Sequence, residues 1–211
     1  MNRLLIIAVF LLAFQSCAYN AAVDIAPAYD VYSSYEEEIP GSWALFIDSS
    51  EFELDEFKFD GFNCSAHTFP LDISSSFSTS AIRTVQNIVE NMQLVDRPLT
   101  VQQLQAQRIS GMIVLRGEEV DVELKVNPGF WSSDADAEVE IALSIVVTGT
   151  EGRLFGTTVS EDGDGEAPLG SFCSGGALAL GEATTDAMEN VLERMAERLS
   201  NASRLRDQVV F

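Results

Sequence analysis

Hydrophobic and polar positions along the chain change period several times, and each change predicts an element. Asn2 and Arg3 precede an unbroken apolar run from Leu4 to Phe14, which leads through Gln15 and Ser16 to Cys17. One basic residue, an apolar stretch of this length and small residues before a cut spell a secretory signal peptide, too short to persist as a membrane-spanning helix. From Ala18 to Gly41 no period is sustained, and Ala, Asp, Pro, Tyr and Ser surround the acid run Glu36-Glu37-Glu38. This reads as a linker, because it offers too little apolar surface to offset the entropy of ordering it. Trp43 to Asp48 is an apolar run of strand length. Phe52, Leu54, Phe57 and Phe59 suggest a second strand whose alternation slips at Asp55-Glu56, as at a bulge, and the two predict a hairpin.

After Pro70 the period lengthens to that of a helix. Phe77, Ala81, Val85, Ile88 and Met92 share one face, flanked by Ile82 and Val89, with Arg83, Gln86, Asn87 and Glu90 opposite. Ser74 to Ser76 offer caps for its start, and Arg97-Pro98 closes the segment that follows Leu94-Val95. A short helix is predicted from Thr100 to Gln107. Four strands follow: Met112 to Arg116; Val120, Val122, Leu124 and Val126 alternating with Asp121, Glu123 and Lys125; Val139 to Val147; and Arg153 to Ser160. Their outward positions are acidic or small and Asn127-Pro128-Gly129 supplies a turn, as in a largely antiparallel sheet with one wet face. Leu180, Ala187, Val191, Met195 and Leu199 form the stripe of a last helix, widened by Ala183, Met188 and Leu192. The pattern predicts an α+β fold: a two-layer sandwich, largely antiparallel or mixed, with two long helices on one sheet face. Residues 1–16 are then a signal peptide, 17–40 an acidic linker and 41–205 a single domain.

Charge narrows the partners. The chain carries 33 acidic and 12 basic residues for a formal charge of −21, and removal of residues 1–16 deletes Arg3 and makes it −22. Nucleic acid is excluded as a partner, since phosphate backbones require a basic footprint. Anionic headgroups repel such a surface too, so membrane attachment has to come from a covalent lipid.

Candidate chemistry is sparse. Asn63-Cys64-Ser65-Ala66-His67 holds a cysteine beside the sole histidine. Joined by Cys173 and a carboxylate it could form a zinc half-site, and a Cys/His pair could make a nucleophile. The plainer reading is a structural disulfide: with Cys17 set aside, Cys64 and Cys173 are an even pair in an oxidising compartment. Cys64 precedes the first long helix and Cys173 the last. If those helices lie side by side, the loops leading into them can meet within the roughly 4.4 to 6.8 Å between Cα atoms that a disulfide needs. His67 is then a turn or helix-start residue. The acidic stretch Glu161 to Glu166 fails the EF-hand template, which wants Gly and Glu where the chain has Ala167 and Cys173, and reads as a solvated hairpin tip. Gly170 to Gly176 resembles an anion cradle only superficially, for it lacks Lys, and reads as a flexible connection. No metal or cofactor is expected. Phe130 and Trp131, beside Pro128-Gly129, are the first choice for a contact surface.

Leu-Leu-Ala-Phe-Gln-Ser-Cys, residues 11–17, resembles the lipobox of bacterial lipoproteins, in which the cysteine becomes the acylated first residue. Phe14 stands where leucine is usual. Ordinary cleavage after Ala18, with Ser16 and Ala18 as the small pair, also fits. Together with the linker, the helix containing Phe77-Ser78-Thr79-Ser80-Ala81, and the strand, loop and helix from Ile141 to Leu199, the chain resembles the YajG-type lipoproteins and the auxiliary lipoproteins of ABC-type transport systems, and more loosely LptE-type assembly lipoproteins. The resemblance spans roughly residues 41 to 200. It implies a non-catalytic accessory protein of the cell envelope, acylated at Cys17, periplasm-facing and in contact with a transporter or another envelope protein. The absence of Asp at position 18 implies outer-membrane sorting by the same resemblance. The alternative function is a Cys/His-dependent periplasmic hydrolase or small metal-binding protein.

Overall fold

A computed structural model describes residues 18–53, 55–59, 64–129 and 132–208. The signal segment and Cys17 lie outside the described residues, as do Phe130 and Trp131. The strands are β1 (Ile39–Asp48), β2 (Asp55–Phe57), β3 (Phe69–Leu71), β4 (Val89–Leu94), β5 (Gly111–Pro128), β6 (Ser133–Gly149) and β7 (Gly152–Pro168). The helices are α1 (Ser74–Gln86), α2 (Val101–Gln107), α3 (Gly175–Ser200) and α4 (Ser203–Arg206). The fold is α+β, with a mixed five-stranded sheet in the order β4-β1-β5-β6-β7 and a separate antiparallel pair, β2-β3. β1 runs parallel to both β4 and β5, whereas β5, β6 and β7 form an antiparallel meander.

Alternation on β1 divides the two faces of the sheet. Trp43 and Leu45 join the main core, and Ala44 between them joins a second cluster with Leu104, Ile109 and Met112 under α2. The main core lies between the sheet and the two long helices, where Phe77 and Val85 of α1 and Leu180, Met188, Val191 and Met195 of α3 meet Ile113, Val139, Ile141, Leu143 and Ile145. Gly111 gives way to Trp43, since a Cβ there would stand 2.6 Å from Trp43 Cζ3. Thr100 starts α2 with a capping box: its hydroxyl accepts from the Gln103 amide while its own N–H donates to the Gln103 side chain.

Five expectations are corrected. β1 makes no hairpin with the following segment, because its backbone is shared between β4 and β5 and the short β2 pairs with β3 instead. The first long helix stops at Gln86 rather than running through Met92; Val89 pairs with Ile39, so the sheet edge claims a segment whose apolar positions also fit a helix. Asp72, not a serine, accepts from the Ser74 amide at that helix's start. The first two of the four late strands are one strand, β5. A register shift between Gly117 and Glu119 rephases it, so Leu115 and Gly117 point inward from odd positions and Val120, Val122 and Leu124 from even ones.

The fifth correction concerns residues 18–38, within the stretch 17–40 expected as a linker. They run as an extended strap along the two long helices from their N-terminal to their C-terminal ends. Tyr19 and Ala21 donate backbone N–H groups to the carbonyls of Thr68 and Pro70, which continues the small sheet. Farther on, the amides of Asp24, Ala26 and Ala28 donate to the hydroxyls of Thr185, Ser80 and Thr84. Ser34 N–H and Tyr32 C=O both bond the Asn201 side chain. At the far end Arg206 donates to the carbonyls of Glu37 and Glu38 and stacks 4.0 Å over Tyr35. Small side chains let the strap sink between the helices, and Ala28 is buried.

Candidate functional site

One end of the molecule gathers three distant segments. β3 delivers Thr68 to the start of the strap, and His67, whose ring centroid is 5.7 Å from that of Tyr19, donates its amide to the Cys64 carbonyl. Cys64 is joined to Cys173 in a disulfide, with Cα atoms 6.0 Å apart, so the chain just before α3 is fastened to the chain just before β3. Both cysteines and Phe172 have left-handed backbone, at φ 61°, 63° and 57° respectively, and Phe172 holds its ring outward at 76% exposure. Gly176 admits the core aromatics here, since a Cβ would come within 2.8 Å of both Phe59 and Phe69. The Gly-rich stretch is therefore closely packed where α3 begins, instead of the flexible connection expected from its sequence.

Bonded to each other, Cys64 and Cys173 present neither a thiolate nucleophile nor a thiolate ligand. The His67 ring is partly buried and its Nδ1 has no hydrogen-bond partner among the described residues. Among the described residues no group of three or more His, Cys, Asp or Glu side chains is placed to hold a metal ion. Among the same residues no helix is long and apolar enough to cross a membrane.

The stretch expected to be a hairpin tip, Glu161 to Glu166, is the interior of β7. Gly163 and Gly165 point at α3, where Ala179, Ala183 and Ala187 recur every fourth residue and leave no space for a Cβ. Asp162, Asp164 and Glu166 point the other way. Cross-strand pairing assembles them into rows on the outer sheet face: Asp121 with Glu140 and Asp162, Glu123 with Glu138 and Asp164, Lys125 with Asp136 and Glu166. Like charges directly opposite one another are destabilising, so this face is costly to the fold. Relief is local: Lys125 pairs with Glu123 at 2.7 Å, Asn127 donates to Asp136, and Ser160 donates to Glu140. Period-two alternation of glycine with acid was the sequence signal for this strand, masked because the same residues favour turns.

Positive charge collects at the opposite end. Arg194, Arg198 and Arg204 line an open hollow with Leu154, Phe155 and Asn201. Arg194 is committed within it: a 2.7 Å bond to Glu161, reinforced by the charges of Glu161 and Glu197, raises its pKa.

No family model matches the chain, and no curated protein matches it. Among solved structures it is similar to a DUF330 protein from Xanthomonas campestris at 7% identity and a TM-score of 0.42, over 90% of this chain and 96% of that one. A hypothetical protein from Chlamydia trachomatis gives 9% identity and a TM-score of 0.39, over 76% of this chain and 98% of that one. The PelC dodecamer from Paraburkholderia phytofirmans gives 8% and 0.27, over 74% and 94%. Likeness at this level says nothing about activity.

Proposed function

We propose that this chain is a non-catalytic accessory lipoprotein of the bacterial cell envelope, held at a membrane by acylation of Cys17 and acting through protein contacts in envelope transport or assembly. The strap is the observation that carries the reading. Ala18 pairs with Thr68, one residue after the candidate acylation site, so a lipid on Cys17 would hold the domain directly at the bilayer. The outer sheet face supports action through contacts: it gives up stability to display in-register carboxylates, a display that core packing does not require. The alternative thiol hydrolase needs a free thiolate at Cys64, which the bond to Cys173 removes.

The test uses the full chain in intact envelopes. Photocrosslinking from Glu138, in the middle of the acidic rows, should trap a defined envelope protein, and Cys17→Ser should release the mature domain from membranes. Retention of that variant after a high-salt wash, or turnover of an ester, peptide or glycan by the purified domain, overturns the reading.

A further inference from the structure

The end that carries the disulfide differs in charge from the rest of the surface. Residues 18–23, 64–71 and 167–181 contain no Asp, Glu, Lys or Arg, in a chain with 33 acids and 12 bases. The fold brings these three segments together. Tyr19 bonds to Thr68, His67 to Cys64, Cys64 to Cys173, and the strap crosses α3 where Ala22 lies on Gly181. Two large apolar side chains stand out from this end: Phe172 at 76% exposure and Leu178, on the first turns of α3, at 68%. Leu178 shares a surface hollow with Ala22 beside the strap's beginning, and Asp24, Glu182, Asp186 and Glu189 on its other side mark where the charge-free end meets the acidic surface. The opposite end, about 39 Å away along the 26 residues of α3, holds Glu36, Glu37, Glu38 and the arginines of the hollow.

We infer that the charge-free end is a lipid-facing surface: Phe172 and Leu178 enter the interfacial region of the bilayer, and α1 and α3 point away from it. The inference rests on acylation of Cys17 and goes beyond it, because an anchor alone sets distance and leaves orientation free. Two things on the molecule choose the occupant. Ala18, which follows the candidate acylation site in the sequence, is fixed to Thr68 at this end. Electrostatics does the rest, since the acidic remainder is repelled by anionic headgroups while this end is not. The bond between Cys64 and Cys173 keeps Phe172 beside the anchored segment.

The experiment compares two tryptophan reporters in the acylated full chain, reconstituted in phosphatidylcholine vesicles with and without dibrominated acyl chains. Phe172→Trp reports on the charge-free end and Tyr32→Trp, 73% exposed and bonded near the C-terminus of α3, on the far end. Emission of the parent, from Trp43 and Trp131, is subtracted. Brominated lipid should quench the Phe172→Trp signal several-fold more than the Tyr32→Trp signal, and Leu178→Trp should behave like Phe172→Trp. Mass measurement of the N-terminal peptide separates the two ideas. An acylated chain with equal quenching at both ends overturns the lipid-facing surface and leaves the lipoprotein reading standing. A chain without an acyl group overturns both.

Discussion

Gly163 of β7 lies against Ala187 of α3 with no room between them: a Cβ on Gly163 would collide with the Ala187 backbone nitrogen. Helix backbone cannot retreat as a flexible side chain can. Gly163→Ala and Gly165→Ala should each cost about 1–3 kcal/mol by overpacking, read as a lower urea midpoint. Gly156→Ala should cost less, because the nearest atoms there belong to the movable Arg153 side chain. Equal midpoints for Gly163→Ala and the parent would contradict this close approach.

The strap should be separable from the core by small changes in its groove. Thr84→Val keeps the shape of the side chain but leaves the buried Ala28 amide without its acceptor, at a cost of about 1–3 kcal/mol. Hydrogen exchange checks this directly: amides of residues 24–28 should exchange faster while those of β6 stay protected. Uniform acceleration across both would mean that the strap and the sheet open as one unit.

Reversing one charge in the acidic rows should stabilise the fold. Glu138 sits between Glu123 and Asp164, so Glu138→Lys replaces two repulsive neighbours with two attractive ones, each worth about 0.2–1 kcal/mol. The urea midpoint should rise, and the gain should shrink as salt screens these exposed groups. A loss of stability, or a gain indifferent to salt, would count against the repulsive rows.

Cys64→Ser, Cys173→Ser and the double variant should lose nearly the same stability, because all three remove one bond. Its loop spans 109 residues, for which the disputed chain-entropy model gives about 4–5 kcal/mol. Thiol titration of the unfolded, unreduced mature chain gives the direct answer, and two free thiols from these positions would refute the bond.

Legibility in the sequence followed the source of each element's order. The stripe from Leu180 to Leu199 specifies α3 because apolar burial fixes that helix, and apolar periodicity is what a sequence displays best. The strap is ordered differently. Its amides are held by hydroxyls four residues apart on α1, Ser80 and Thr84, both fully buried within an otherwise apolar face. Two buried polar side chains at that spacing were the available clue to a neighbouring backbone. The shift at Gly117 was written as a change from odd to even apolar positions, which a break between two strands imitates. Cross-strand acid rows depend on register, and a list of outward acids does not contain register.

The walls of the strap's groove come from residues 74–86 and 175–200, and its farthest hydrogen bonds join positions 167 to 169 residues apart. The part of the domain synthesised first is thus the last that can be put in place. Until the C-terminal helices have folded, the segment has only β3 and α1 to bind, and Tyr32, Ser34, Glu37 and Glu38 lack their partners Asn201 and Arg206. Closing the groove completes the strap, so its far half is ordered only once the last residues of the domain have been made.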